Sequence, residues 1–181
     1  MSIFLLINPI ITIKILYFTK FQEKDSGKKY IKISLIGTII NLFFILILKH
    51  FHNWNNINFQ FLYFLGDLAI FGLDSISLWL ILLVNLIIPI VILNSWKDIK
   101  YEREDSKNSA KMIKDFLILI LFVNLGSITV FLVLDILFFY ISFEMVLIPM
   151  YFLIGIYGSR NKKIESAQNM LFLYTLFGSL F

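Results

Sequence analysis

The sequence predicts an all-α fold, a polytopic transmembrane helical bundle with about five full spans plus a truncated sixth, and three observations carry that prediction. Hydrophobic residues make up 59 % of 181 positions, at a mean hydropathy of +0.85, more than a soluble domain of this size buries. The apolar residues are gathered into runs close to the about 20 residues that cross a bilayer as a helix. The charged residues are gathered between those runs, so the net charge of +4 reports orientation rather than affinity for nucleic acid. A soluble enzyme is excluded. The chain has no cysteine, which also excludes disulfides, thiolate metal sites and iron–sulfur ligation within it.

Taken in order, the first span is expected over residues 3–18, interrupted by Asn8-Pro9 and by Lys14. Lys14 lies near its far end, where the ammonium can snorkel to the interface. A polar loop from Lys20 to Lys32 with five lysines leads to a second span over 33–48. The stretch from His50 to about Gly72 mixes asparagines with Phe, Trp and Tyr. His50 and His52 have no third ligand near them in sequence, so they read as interface residues rather than a metal site. The apolar piece Phe59 to Phe64 is too short to span and is expected at the surface, extended or as a hairpin. Asp74 has the position of an N-cap for the third span, over 75–96. Within that span Pro89 leaves the carbonyl of Asn85 without its helical donor, a kink with a structural role.

The loop from Lys97 to Asp115 carries six basic and five acidic residues and reads as a solvated segment with some helical pattern. A fourth span over 116–134 includes Asn124, Gly126, Ser127 and Thr129, small and weakly polar residues that suit close helix packing. Only a tight turn near Asp135 fits before the fifth span, over 136–157, with Gly158 as its C-cap. A basic loop, Arg160 to Lys163, follows. The sixth apolar run, over 167–181, is about 22 Å long at 1.5 Å per residue against a hydrocarbon core of about 30 Å. The chain is therefore expected to be a single membrane domain, the N-terminal fragment of a longer subunit.

The fifth span holds one carboxylate in an apolar run, Glu144 in Phe143-Glu144-Met145-Val146-Leu147-Ile148-Pro149-Met150. Placing it near mid-depth costs about 2.5–3.5 kcal/mol, which a dozen apolar neighbours at about −0.3 to −0.6 kcal/mol each more than offset. Low dielectric disfavours its charged form, and a group so placed can take up and release a proton. Pro149 frees the carbonyl of Met145, one peptide from the acid, where water can be held. Lysine and arginine concentrate in the first, third and fifth loops, which sets those loops on the negative side of the membrane, matrix or cytoplasm.

These residues resemble a known family. Phe143 to Tyr151, Ile154-Gly155-Ile156-Tyr157-Gly158-Ser159-Arg160 and Phe172-Leu173-Tyr174-Thr175-Leu176-Phe177-Gly178-Ser179 are similar to chain 4 of proton-translocating NADH:ubiquinone oxidoreductase, respiratory complex I. Phe71-Gly72-Leu73-Asp74-Ser75-Ile76-Ser77-Leu78, with Leu86 to Ile90 and Ser95-Trp96 behind it, is a further match. The resemblance implies an antiporter-like subunit of some fourteen helices, with ubiquinone a substrate of the whole complex and other membrane-arm subunits as partners. It implies no cofactor in this chain, with the flavin and the iron–sulfur clusters in other subunits. The fifth-helix glutamate, matched by Glu144, is the proton-relay residue of that family and pairs with a lysine on a later helix. Asp74, Pro89 and Pro149 match at positions with structural roles. A related cation/proton antiporter subunit, and a structural membrane piece without transport, stay open as alternatives. A chain rich in Phe, Ile, Asn and Lys fits an organelle-encoded product of the mitochondrial inner membrane, with a bacterial plasma membrane or a thylakoid as the alternatives.

Overall fold

The protein was analysed as a computed structural model, which describes residues 2–19, 26–54, 59–65, 68–101, 106–158 and 164–180. Lys20, Lys24, the centre of the loop between Lys97 and Asp115, and the basic turn Arg160 to Lys163 lie outside the described residues. The elements follow as α1 (Ser2–Phe18), α2 (Ser26–Phe51), β1 (Gln60–Leu65), β2 (Leu68–Leu73), α3 (Ser75–Tyr101), α4 (Ser106–Leu132), α5 (Ile136–Tyr157) and α6 (Ile164–Leu180). Among the described residues, α2 through α5 are long and apolar enough to cross a membrane, whereas α1 is a shorter apolar helix.

Three helices reach beyond the spans read from hydropathy. α2 begins at Ser26 rather than near 33, α3 continues to Tyr101, and α4 begins at Ser106 rather than at 116. Hydropathy marks where the bilayer ends, but a helix whose ends carry several lysines goes on through the interface, because lysine is a good helix former and its stem stays on the apolar side while its head reaches water. Lys114 uses the extension: its ammonium donates to the carbonyls of Tyr17, at 2.8 Å, and Thr19, at 3.2 Å. These carbonyls close the C-terminus of α1, where a cation also suits the helix dipole, and that of Thr19 accepts from the Tyr30 hydroxyl as well, at 3.3 Å.

α1 to α4 form the bundle, α5 packs on α4, and α6 packs on α5. The bundle core is split in two along its length. One apolar cluster takes in Leu5, Ile45, Leu78, Ile81, Ile128 and Leu132. The other takes in Leu16, Ile31, Ile88, Ile92, Leu117 and Leu121. On α2, α3 and α4 the residues between these clusters include Asn41, Asn85 and Asn124, each 1 % exposed. α1 closes on α2 through Gly37, against which Thr12 is seated, while Asn8 Nδ2 donates to the Gly37 carbonyl at 3.0 Å. Lys14 is exposed, in keeping with an interfacial head group.

The stretch after α2, expected as extended chain or a hairpin, forms a hairpin. β1 and β2 pair antiparallel with Gln60 opposite Leu73 and Leu65 opposite Leu68, and the register shifts between Gln60 and Tyr63. Phe61, at φ 54°, falls within that irregularity, where a bulge admits a left-handed residue. A bridge from Phe71 to Val133 ties β2 to the turn between α4 and α5. That turn is as tight as expected: Asp135 is the N-cap residue of α5, and its carbonyl accepts from the Phe139 N–H at 2.9 Å. Gly158 ends α5 in an extended conformation, φ −65°, ψ 143°. Its N–H closes the last turn onto Ile154 at 3.1 Å, so the cap does not use the left-handed conformation that most often selects glycine there.

Candidate functional site

Glu144 lies in the middle of α5 with two different faces of the helix beside it. On one side α4 comes close, because Gly126 presents no side chain and Val146 fills the space. On the other side α6 runs antiparallel, since Tyr140 is drawn to Ser179, Tyr151 to Asn169, and Gly155 to Gln168. Tyr140, Glu144, Tyr151 and Gly155 follow the four- and seven-residue spacing that keeps side chains on one face of a helix. Glu144 therefore belongs to a polar seam between α5 and α6.

Within that seam the Tyr140 side chain lies near those of Glu144 and Ser179, while the Ser179 hydroxyl donates to the Leu176 carbonyl at 2.9 Å. Glu144 Oε1 is buried without a hydrogen-bond partner among the described residues. A buried carboxyl oxygen left unpaired is unfavourable by about 1–3 kcal/mol or more, so the arrangement calls for a further donor. Towards the other end of the seam the Tyr151 hydroxyl lies 3.4 Å from Asn169 Oδ1 and accepts from Gln168 Nε2 at 3.2 Å. An open cavity of about 330 Å³ lined by Tyr151, Asn169, Phe172 and Leu173 adjoins these groups. The seam thus combines a carboxyl group, two phenols, a hydroxyl and two carboxamides, with the cavity at its Tyr151 end and not beside Glu144.

The other residues singled out from sequence are placed as follows. Pro149 is one of the two buried residues of α5, with Leu147. The helix continues through it, as α3 continues through Pro89. Pro89 sits one turn beyond Asn85, whose side chain turns back to donate to the Ile81 carbonyl at 2.9 Å. Asp74 immediately precedes α3, and its main-chain carbonyl accepts the first helical bond from Leu78 at 2.9 Å. The capping expected of its side chain is not made among the described residues. Beside it, the Ser75 hydroxyl pairs with His52 Nε2 at 3.0 Å. His52 is buried, with its ring edge-on to Trp54, so the loop histidine helps join the end of α2 to the start of α3.

Sequence reasoning missed two groups. Tyr140 was visible only as an aromatic in an apolar run, although its position one turn before Glu144 is the signal that could have marked it. Asn41 was hidden in the second span, and nothing local to it foretells that it meets Asn85 and Asn124 from other helices.

Residues 133–181 match the membrane-domain model described as NADH:quinone oxidoreductase/Mrp antiporter, TM. The chain is 47 % identical to the NADH-ubiquinone oxidoreductase chain 4 of Prototheca wickerhamii over 60 % of its own length and 19 % of that protein. It is 42 % identical to the chain 4 of Acanthamoeba castellanii over 68 % of its length and 23 % of the relative. With the chain 4 of Mycosarcoma maydis it shares 34 % identity over 98 % of its length and 35 % of the relative. The chain thus spans between about a fifth and about a third of the length of these relatives.

Proposed function

We infer, from the premise that the chain belongs to the NADH-ubiquinone oxidoreductase chain 4 family, that it is a multi-pass membrane-arm subunit of proton-pumping NADH:ubiquinone oxidoreductase and that Glu144 relays the proton. The observation that carries the second half is the placement of Glu144 at mid-helix in the α5–α6 seam, with one carboxyl oxygen buried and unpaired among the described residues. An acid in that position gains most from a donor that arrives and leaves: a proton, a water, or a cation brought close by a neighbouring helix. Electron transfer from NADH to ubiquinone takes place in other subunits, which hold the flavin and the iron–sulfur clusters. This chain contributes no redox centre, and its part is to move protons in response.

The relay works by exchange of charge. A lysine of a later helix, brought close to Glu144, would supply the donor that its unpaired oxygen lacks among the described residues. Tyr140 lies beside the side chain, and the freed Met145 carbonyl next to Pro149 offers a further acceptor for water. Pro149, Pro89 and Asp74 serve the geometry of the helices rather than the chemistry. The membrane is the mitochondrial inner membrane, and the partners are the other membrane-arm subunits and the surrounding lipid.

The test is Glu144→Gln, which keeps volume and removes the titratable group. In membranes with normal amounts of assembled complex, proton pumping and coupled NADH:quinone turnover are expected to fall at least tenfold. Near-normal pumping with normal assembly would assign Glu144 to helix packing alone. Co-purification with cation-antiporter subunits in place of NADH dehydrogenase subunits would overturn the assignment to complex I.

A further inference from the structure

Halfway along α2, α3 and α4 three carboxamides meet in the core. Asn41 Nδ2 donates to Asn85 Oδ1 at 2.8 Å, and Asn124 Nδ2 reaches the same oxygen at 3.5 Å. Asn85 Nδ2 is committed to the Ile81 carbonyl. The orientations are fixed by chemistry, because turning either Asn41 or Asn124 over would set two carbonyl oxygens against each other. The cluster is consequently rich in unused acceptors. Asn41 Oδ1 and Asn124 Oδ1 are both buried without a partner among the described residues. The main-chain carbonyl of Asn85 also lacks its helical donor, since Pro89 has no N–H.

No large partner can satisfy these groups. Asn41, Asn85 and Asn124 are each 1 % exposed, and apolar clusters close the core on both sides along the bundle axis. The ligand must be small, and it must donate. A hard cation is a poor fit, because such ions gather about six to eight oxygens and Asn85 Oδ1 already accepts from two amides. Water has two donors for two unpaired side-chain oxygens, and it can accept in return from the second hydrogen of either amide.

We propose that Asn41, Asn85 and Asn124 form a binding site for a water molecule at mid-membrane depth, enclosed by the α1–α4 bundle and separate from the Glu144 seam. The carboxamides do not titrate, so the site holds water without storing a proton. Its occupant is bound by two α-helices at once, α2 through Asn41 and α4 through Asn124, and so joins them across the junction of the two apolar clusters. Leaving these acceptors dry in hydrocarbon would be strongly unfavourable.

The experiment is a density map of the native assembly in lipid nanodiscs, at a resolution that shows ordered waters elsewhere in the membrane. The expected result is one density peak about 2.7–3.0 Å from Asn41 Oδ1 and Asn124 Oδ1. In the Asn41→Leu, Asn124→Leu double variant, which removes both acceptors at nearly constant volume, that peak disappears. An empty site in the native map overturns the proposal, as does a peak with shorter, metal-like distances to the three oxygens. Retention of the peak in the double variant overturns it too. None of these readouts depends on Glu144, so the water site and the proton relay stand or fall separately.

Discussion

Gly126 on α4 faces Val146 on α5 so closely that a β-carbon at position 126 would lie 2.5 Å from Val146 Cγ2 and 3.6 Å from Val146 Cβ. The first distance is a clash and the second an ordinary contact, so the methyl groups of Val146 and not its backbone set the limit. Gly126→Ala is expected to weaken the docking of α5 by about 1–3 kcal/mol, the usual range for overpacking a tight contact. Val146→Ala in the same chain removes the clashing methyls and restores most of the loss. Unfolding midpoints of the two single variants and the double variant measure this, and a double variant no better than Gly126→Ala would show that the close approach does not hold the helix.

Lys114→Met tests a cation that closes a helix end from another helix. The variant keeps the side-chain stem but loses the two bonds to the Tyr17 and Thr19 carbonyls. The expected loss is about 1–2 kcal/mol, moderated because the ammonium is partly exposed. Faster hydrogen exchange confined to the last turn of α1, with α4 unchanged, is the accompanying signature. Lys114→Arg should retain most of the protection.

The extent of the spans and the turn at Asp135 were legible because both depend on local patterns, a run of apolar residues and a limit on chain length. That the piece from Phe59 to Phe64 does not cross was legible for the same reason, but the choice between extended chain and a hairpin was not. The helical extensions past the membrane were not, since hydropathy is silent about a polar segment that stays helical in water. Glu144 could be found as one acid in an apolar span. Tyr140 offered a signal in its place one turn before Glu144 on the same helix, but Ser179 and the Asn41–Asn85–Asn124 cluster did not, because they are defined by which helices become neighbours, and that is settled by tertiary packing rather than by spacing within a segment.

The orientation can be read directly on α4. Lys111 is near its start and Asp135 just past its end, both exposed, and the chain has no native cysteine to confuse the labelling. A cysteine at Lys111 is expected to react with an impermeant thiol reagent only from the negative side of the membrane, and one at Asp135 only from the opposite side. The concentration of lysine and arginine in alternate loops sets that expectation. The reverse pattern would invert every helix, including the direction of α5 through Glu144.

The last prediction concerns how Glu144 is held. Tyr140 lies between it and Ser179, so Tyr140→Phe removes a hydroxyl from the seam while leaving the ring, and with it the packing, in place. If the hydroxyl positions the carboxyl for proton transfer, pumping should slow by about three- to tenfold in the parent chain, the effect of losing a bond worth about 1 kcal/mol. The same change in the Glu144→Gln background should do little further harm, because the group it positions no longer titrates. A double-mutant cycle separates this from a general weakening of the helix pair: coupled residues are expected to depart from additivity by about 0.5–3 kcal/mol, independent ones by about 0.3–0.5 kcal/mol at most. Ser179→Ala supplies a second arm, since it removes the hydroxyl partner on α6 without touching α5. Additive losses in both cycles, with Glu144→Asp as active as the parent, would mean that the exact position of the carboxyl does not limit the relay and that Tyr140 serves packing alone.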